Sequence, residues 1–490
     1  MNNDNYKSIF QKLALILCLV AGARYLGNVI FLLLVAIGVL SALGNKNHIA
    51  ICSYIVLCLF VPMNPLIVGK AGVIKSICLR VGPLLIGLIM AMMSLKRTGN
   101  ARLPFNMLVI YLVSVSISSL QGWSPTISFL KMLNFAIFLV GIWFGLQNMQ
   151  NRYKEVQYVH EFLIAVSVFI VVGSAALIPF PGISTLNGLT LSVLEGDITR
   201  ANYIYGRGDA GMTLFCGLAN QSQALAPILT CIFSWLACDI IFVAKKLELL
   251  RCFVAALCIP LLFMTRSRAG LVALMAAFTL VYYYGCIKMT LAGSMRFKIR
   301  RLASVSVFVI LIVGVFYEVH DNAFTKWLRK TDDLEGDTRS LTEAVTSSRQ
   351  GLNDLNIMDF ERNYLLGSGF QVNFESEELY GSKGGLILSA PIEKGLLPMM
   401  ILGEGGIIGG VLFTMFLVSF YLHCNRKRYY CTAVCFGVFL ATNIGEATFF
   451  SPGGIGAILW SFSVIGGFML DLIKDGYIQN KVYYIEQRVR

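Results

Sequence analysis

Two arginines interrupt an apolar part of the chain, in the segment Thr265-Arg266-Ser267-Arg268-Ala269-Gly270. The segment joins two hydrophobic runs with almost no loop, so both guanidinium groups are held at a membrane surface. A guanidinium group keeps its charge and can bind phosphate oxygens in a bidentate manner. The segment Arg266–Arg268 therefore favours a diphosphate ligand, and the alternative is that the arginines contact lipid headgroups.

Two glutamates near a second membrane boundary could act on the same ligand. Glu393 is followed by Lys394 and precedes the hydrophobic run 395–422, whereas Glu404 lies inside that run. A bare charge in a span costs about 2.5–3.5 kcal/mol, so Glu404 needs a partner, for which the arginines are candidates. At about 100° per residue, a helix through both glutamates would bring them to one face. We expect Glu393 to be a general base, and Glu404 to orient an arginine or contact substrate beside Lys394.

The same hydrophobic run contains a proline and two overlapping pairs of glycines. Pro398 removes a helical hydrogen bond, and we expect a kink there. Gly405/Gly409 and Gly406/Gly410 form GxxxG pairs, which predict close packing against another helix.

Asn220, Gln221 and Gln223 stand at the start of an earlier hydrophobic run. Neutral amides at this depth either join helices or line a binding site, and both interpretations stay open.

A basic segment between the third and fourth predicted spans contains Lys70, Lys75 and Arg80. Either a span is misplaced here, or the segment is an external patch for an anionic ligand, with Arg80 as the candidate ligand residue.

The elements that must position these residues are membrane-spanning helices. The chain of 490 residues is 57% hydrophobic and 14% charged, whereas soluble domains carry about 25% charged residues. We predict an all-α polytopic membrane protein with about 12–14 transmembrane helices. The predicted spans are roughly 8–24, 26–44, 49–67, 81–95, 104–120, 126–146, 158–180, 212–243, 251–264, 269–287, 302–318, 395–422, 429–446 and 453–473. The lower count applies if the two shortest runs, 81–95 and 251–264, are re-entrant.

The distribution of charged residues among the loops predicts how these spans are oriented in the membrane. Segment 318–393 carries 14 of the 27 acidic residues against 7 basic ones, whereas short loops elsewhere are rich in Lys and Arg. Basic loops stay in the cytoplasm, so we expect cytoplasmic termini and one large periplasmic loop. The domain prediction is an N-terminal transmembrane bundle at 1–317, this loop at 318–393, and C-terminal transmembrane helices at 394–490.

Composition also predicts what the protein lacks. The thirteen cysteines form no CxxC pair, so we interpret them as apolar core residues and expect no metal site and no cofactor. The net charge of +13 reflects membrane orientation rather than nucleic-acid binding.

The order of the motifs resembles the O-antigen ligase and Wzy-type polymerase superfamily of bacterial membrane glycosyltransferases. The matching positions span about Gly211–Phe413 and are Asn220 in a Gly-x-x-Asn segment, Ser267-Arg268, Arg349 in Ser-Ser-Arg, Leu-Gly-Ser-Gly-Phe at 366–370, and Glu-Gly-Gly-Ile-Ile-Gly at 404–409.

The resemblance implies a helical fold of the GT-C type in the bacterial inner membrane. It implies transfer of glycans from undecaprenyl diphosphate to a glycan acceptor at the periplasmic face, without a metal. Arg268 and Arg349 would bind the diphosphate, with Arg266 and Arg80 as further candidates. The implied partners are the lipid-linked donor, the acceptor, a chain-length regulator and a flippase.

One departure from the superfamily pattern favours polymerisation. The ligase branch carries a His-Asn pair nine residues before the glutamate that matches Glu404, and here those positions are Gly395 and Leu396. We therefore expect a polymerase of lipid-linked oligosaccharide repeats. The alternatives are a ligase that transfers glycan to lipid A-core or to a protein, a transporter of lipid-linked sugars, and a non-enzymatic assembly component.

Overall fold

Apolar helices dominate the part of the chain that the computed structural model describes. That part comprises residues 3–69, 72–94, 103–122, 124–149, 153–179, 205–207, 213–244, 248–288, 341–372, 395–445 and 447–475. Within it, eight helices are long and apolar enough to cross a membrane, and five shorter apolar helices accompany them. The chain is an all-α polytopic membrane protein, as its hydropathy predicts.

The helices follow the order of the predicted spans. The first eight are α1 (Asn3–Tyr25), α2 (Asn28–Leu43), α3 (Asn47–Phe60), the short α4 (Pro65–Val68), α5 (Val73–Ser94), α6 (Asn106–Ser119), α7 (Pro125–Met149) and α8 (Tyr153–Ala176). A small antiparallel hairpin of β1 (Tyr205–Arg207) and β2 (Thr213–Phe215) precedes α9. The remaining helices are α9 (Ser222–Cys238), α10 (Leu249–Met264), α11 (Arg268–Tyr282), α12 (Leu341–Arg362), α13 (Leu397–Lys427), α14 (Tyr430–Thr442) and α15 (Gly454–Trp460).

Three of these helices continue through a turn of π-helix. The π-helical segments are Asp239–Val243 after α9, Tyr283–Lys288 after α11, and Ser461–Gly466 after α15. They lengthen the apolar spans to Ser222–Val243, Arg268–Gly285 and Gly454–Asp475.

Contacts between helix ends divide those ends into two opposite faces. On the face that we call the loop face lie residues 61–69, 119–122, 216–221, 264–268, 363–372, 395–397, 443–445 and 447–454. Hydrogen bonds such as Asn64 N to Leu218 O and Leu397 N to Asn443 O join these segments. On the other, the basic face, lie the helix ends at Asn47, Tyr153, Leu249 and Tyr430, joined by contacts such as Lys12–Glu161 and Arg251–Asp239. Lys46, Lys154, Arg251 and Arg426–Arg428 lie near the basic face, so we expect it to face the cytoplasm.

The structure corrects the expectation for the basic segment before the fourth span. α5 begins at Val73 rather than near residue 81, so Lys75 and Arg80 are helical residues and not part of an external loop. Lys75 is buried, and its Nζ donates to the carbonyls of Val68 and Gly69 at 3.0 and 2.8 Å. Because the Lys75 ammonium group bonds to carbonyl groups at the end of α4, it is not part of an anion-binding patch. Lys70 lies outside the described residues, as does the predicted span 302–318.

The C-terminal helices share one buried core with the N-terminal helices. α13 packs along α6, and α14 packs against α9 and α11. Aromatic rings fill the space between these helices. The centre of the Phe450 ring lies 5.4 Å from the ring centres of Phe370 and Tyr111, and 5.3 Å from that of Phe135. This aromatic core lies directly beneath the segment of α13 that contains Glu404.

Candidate functional site

The helix α13 is broken in its first third, at Gly406. This residue has φ 61° and ψ −160°, a backbone conformation that is essentially confined to glycine. A Cβ atom at this position would also overlap the carbonyl group of Leu365. Both the conformation and the close approach of another chain segment therefore require glycine here.

The loop 363–372 occupies the break and pairs with it. Four backbone hydrogen bonds join the two segments: Ser368 N to Gly403 O (2.9 Å), Gly369 N to Glu404 O (3.1 Å), Ile407 N to Tyr364 O (2.8 Å) and Ile408 N to Leu365 O (3.2 Å). The motif 366–370 and the motif 404–409, which the sequence analysis singled out separately, thus form one unit. Their backbone groups satisfy each other at a depth where water is scarce.

Glu404 fastens this unit with its side chain. The carboxylate is fully buried, and its Oε1 accepts a hydrogen bond of 2.8 Å from the backbone N–H of Gln371. The Gln371 side chain in turn donates from Nε2 to the carbonyl of Phe450 at 3.2 Å. Glu404 therefore holds the end of the loop in place through a backbone group.

Two expectations about the start of this helix are wrong. Pro398 does not kink α13, because it lies in the first turn, where no helical N–H is needed. Gly395 has φ 70° and Leu396 is extended, so the helix begins at Leu397 and does not extend back to Glu393. The argument that Glu393 and Glu404 share a helical face therefore fails, and Glu393 and Lys394 lie outside the described residues.

The glycine pairs are only partly a packing motif. Cβ atoms on Gly405 and Gly409 would lie 3.6 and 3.5 Å from the ring of Tyr111, so this pair provides the predicted close contact with α6. Gly406 instead allows the backbone conformation at the break. A Cβ on Gly410 would contact only Leu402 of its own helix. The expectation of packing is confirmed for the first pair and wrong for the second.

A turn between α6 and α7 anchors the loop from the other side. Ser119 Oγ accepts from Phe370 N at 3.3 Å, and Ser128 Oγ donates to Phe370 O at 3.0 Å. The Nζ of Lys131, a side chain only 1% exposed, lies 3.5 Å from Gln371 O. The loop is thus bound by three helices, α6, α7 and α13.

The predicted arginine turn lies on the same face of the molecule. Arg266 has φ 52° and begins the sharp turn from α10 to α11, and both Arg266 and Arg268 are half-buried. Ser267 Oγ accepts from Gly270 N at 3.2 Å and thereby caps α11. Arg266 and Arg268 therefore stand at the positive end of the α11 dipole, where arginine residues and the dipole both favour an anion.

The segment 443–450, of which residue 446 lies outside the described part of the structure, links this arginine turn to the broken helix. A Cβ on Gly445 would overlap Ala269, which shows how closely the segment approaches the start of α11. Asn443 O accepts from Leu397 N at 3.2 Å, and Phe450 O accepts from the Gln371 side chain. Asn443 Oδ1 holds the segment together by accepting from Thr448 N and Phe449 N, each at 2.7 Å.

The helix that carries Arg349 packs against the start of α13. A Cβ on Gly395 would lie 2.9 Å from Asn353 Oδ1, and a Cβ on Gly403 would lie 2.9 Å from Asn356 O, so α12 follows α13 closely. Arg349 precedes Asn353 by four residues on α12, about 6 Å along the axis and on the same helical face. Its position thus lies about 6 Å beyond the point where Asn353 meets Gly395, and its side chain is outside the described part of the structure.

The amides before α9 occupy the loop face beside the arginine turn. Asn220 N donates to Pro62 O at 2.8 Å, Gln221 stands at the N-cap position of α9 without a side-chain cap hydrogen bond, and Gln223 is exposed in the first turn of α9. α9 and α11 both start at this face, and a Cβ on Gly270 would lie 3.3 Å from Ala226 Cβ. Gln223 precedes Ala226 by three residues and Ser267 precedes Gly270 by three, so Gln223 and Ser267 lie alongside each other where the two helices begin.

Arg80 belongs to a different neighbourhood. It is half-buried on α5, a helix that packs against α2, α3 and α7. No hydrogen bond or ion pair joins its side chain to the described residues. The structure does not bring Arg80 to the arginine turn.

Sequence reasoning missed the residues that hold the loop, namely Ser119, Ser128, Lys131 and Gln371. One signal was available, because Lys131 is a charge within the predicted span 126–146 and such charges mark functional or structural sites. Among the described residues, no group of three or more His, Cys, Asp or Glu side chains is placed to bind a metal ion.

Comparison of the chain with protein-family models, with curated proteins and with solved structures finds no match.

Proposed function

We propose that this protein polymerises oligosaccharide repeats linked to undecaprenyl diphosphate, as a glycosyltransferase of the bacterial inner membrane that acts at the periplasmic face. One observation supports the proposal most. The arginine turn, the loop 363–372 and the start of α13 come from separate parts of the sequence, yet each contacts the segment 443–450, and the helix of Arg349, which leads into the loop, packs against the start of α13. An anionic donor and an extended acceptor both need such a convergent, membrane-level surface.

The proposed reaction forms one glycosidic bond and breaks another. A hydroxyl oxygen of the acceptor sugar attacks the anomeric carbon of the donor, and the bond from that carbon to the diphosphate oxygen breaks. Undecaprenyl diphosphate leaves as an anion, which Arg266, Arg268 and Arg349 stabilise by charge. The hydroxyl proton passes to a general base, for which Glu393 is the candidate.

The break in α13 bears on the transporter alternative. Transporters use broken helices whose unwound backbone groups bind the substrate. Here the backbone groups at the break bond to the loop 363–372 instead, so they are not available to a passing ligand. This arrangement favours a fixed catalytic surface over a moving transport pathway.

A strain that lacks the gene provides the test, with its surface polysaccharide separated on a gel. Core carrying a single repeat supports polymerisation. Bare core together with accumulated lipid-linked polymer identifies the ligase reaction instead. An unchanged polysaccharide ladder in the deletion strain excludes both reactions for the major surface polymer.

A further inference from the structure

An open cavity lies at the basic face, on the opposite side of the molecule from the candidate site. It has a volume of about 310 Å³ and is formed between α1 and α8. The lining residues are Ser8, Gln11, Lys12, Leu15, Lys154, Gln157, Tyr158 and Glu161. Nothing in the proposed glycan chemistry uses this cavity.

The hydrogen bonds inside the cavity leave its lining positively charged. Glu161 Oε2 accepts from Lys12 Nζ at 2.7 Å and from Ser8 Oγ at 2.6 Å, and Oε1 accepts from Gln157 Nε2 at 3.0 Å. Both oxygens of the only acidic lining residue are therefore occupied. Two lysines face one glutamate, which gives a lining charge of 2 − 1 = +1.

Lys154 supplies the charge that Glu161 does not neutralise. Its side chain is exposed, and no ion pair joins it to any described residue. Lys12 Nζ, by contrast, lies 4.3 Å from the centre of the Tyr158 ring and is fixed by Glu161. One fixed and one adaptable ammonium group at the same opening match a phosphate group.

The polarity of the lining changes along α1 as expected at a bilayer surface. Lys154 lies at the end of α8 on the basic face, and Lys12 lies about two and a half turns into the apolar helix α1. Leu15, nearly one turn deeper, is 49% exposed, and Phe10 on the same helix is 57% exposed. A ligand that fills this cavity meets cations near the surface and apolar side chains toward the bilayer interior.

We propose that this cavity binds the phosphate headgroup of an anionic membrane lipid, whose acyl chains run along Leu15. Basic pockets between transmembrane helices at the cytoplasmic surface have the chemistry to hold such headgroups. The proposal is independent of the glycan chemistry at the opposite face.

The test measures lipid binding to the full-length protein in detergent by native mass spectrometry. The probes are dioleoylphosphatidylglycerol, dioleoylphosphatidylcholine with the same acyl chains, and inorganic phosphate. We expect saturable binding of the anionic lipid that exceeds binding of the neutral lipid. Lys154→Gln brings the lining charge to zero and should weaken this binding about fivefold, and Lys154→Glu should abolish the preference.

The matched control is Lys427→Gln, since Lys427 is also an exposed lysine at the basic face but lies at the end of α13. This variant should bind the anionic lipid like the parent. Equal affinity for both lipids, or an equal effect of the two glutamine variants, would overturn the proposal. Competition by inorganic phosphate at the same concentration as the lipid would also overturn it, because the site would then recognise free phosphate.

Discussion

A single carboxylate illustrates how a buried charge can be used within this membrane protein. Glu404 is fully buried and accepts a hydrogen bond from the backbone N–H of Gln371, while Tyr111 and the aromatic rings around Phe450 pack close by. A charged acceptor strengthens such a bond, to a net value of about 1.5–3 kcal/mol. The residue therefore stabilises the loop that the proposed reaction depends on.

Substitution of Glu404 should separate this structural role from any role of its charge. Glu404→Ala leaves the Gln371 N–H without its acceptor and should lower the free energy of unfolding by about 2 kcal/mol. Glu404→Gln retains an acceptor oxygen and should be much closer to the parent. Thermal melting of the detergent-solubilised variants measures the difference, and an alanine variant as stable as the parent would contradict the assignment.

The arginine turn permits a test of phosphate recognition. Arg268→Lys keeps the charge but loses the planar pair of donors, and we expect it to reduce polymer synthesis about 10²-fold. Arg426→Lys, an exposed arginine near the basic face, is the matched control and should have no effect. The measurement is polysaccharide ladder intensity in a complemented deletion strain at equal protein levels. Full activity of Arg268→Lys would show that bidentate binding at this arginine is not required.

At the scale of single residues, the sequence predicts which residues are unusual but not which groups they contact. Glu404 is recognisable as a charge inside a span, and Ser267-Arg268 as a polar turn between spans. The partner on Gln371 is a backbone group 33 positions away in sequence. A backbone donor carries no signal in the residue types, so the sequence could not predict this contact.

At the scale of elements, hydropathy places the helices well and their discontinuities poorly. Each predicted span overlaps a described helix except 302–318, which lies outside the described part, but the span 212–243 begins too early, because residues 213–215 form a strand and α9 begins at Ser222. Pro398 predicts a kink in α13. A proline in the first turn of a helix costs no hydrogen bond, so Pro398 does not kink the helix, and the break lies at Gly406 instead. Gly406 adopts its conformation because the loop 363–372 docks against it, and that tertiary contact leaves no local pattern in the sequence.

Two glycines three residues apart test the break directly. Gly406→Ala places a Cβ against Leu365 and forces an unfavourable backbone conformation, so we expect a loss of about 3 kcal/mol or more in stability. Gly409→Ala meets only ordinary contact with Tyr111 at 3.5 Å and replaces a helical glycine, so it should be neutral or slightly stabilising. Melting temperatures of the two variants give the comparison, and equal values would exclude a strained break at Gly406.

At the scale of the whole molecule, the two faces differ in chemistry. The loop face carries the arginine turn, the loop 363–372 and the segment 443–450, whereas the basic face carries buried ion pairs such as Arg251–Asp239 at 2.6 Å. The lysines and arginines near the basic face predict that this face is cytoplasmic. The proposed donor would then be used on the periplasmic side.

Cysteine labelling tests this orientation in intact cells. In a cysteine-depleted version, Gln350→Cys on α12 should react with a membrane-impermeant maleimide without lysis, because Gln350 is exposed and α12 packs at the loop face. Lys427→Cys at the basic face should react only after lysis. The reverse pattern would place the candidate site in the cytoplasm and exclude a periplasmic reaction.

The break in α13 has a consequence for the biogenesis of the protein. Four backbone groups of this helix bond to the loop 363–372, which leaves the ribosome before the helix does. Each such group left bare in lipid costs several kcal/mol, so while the loop is undocked we expect these groups to bond within a continuous helix through Gly406. The helix α13 should therefore enter the bilayer unbroken, and it should break only when the loop docks and replaces its helical hydrogen bonds.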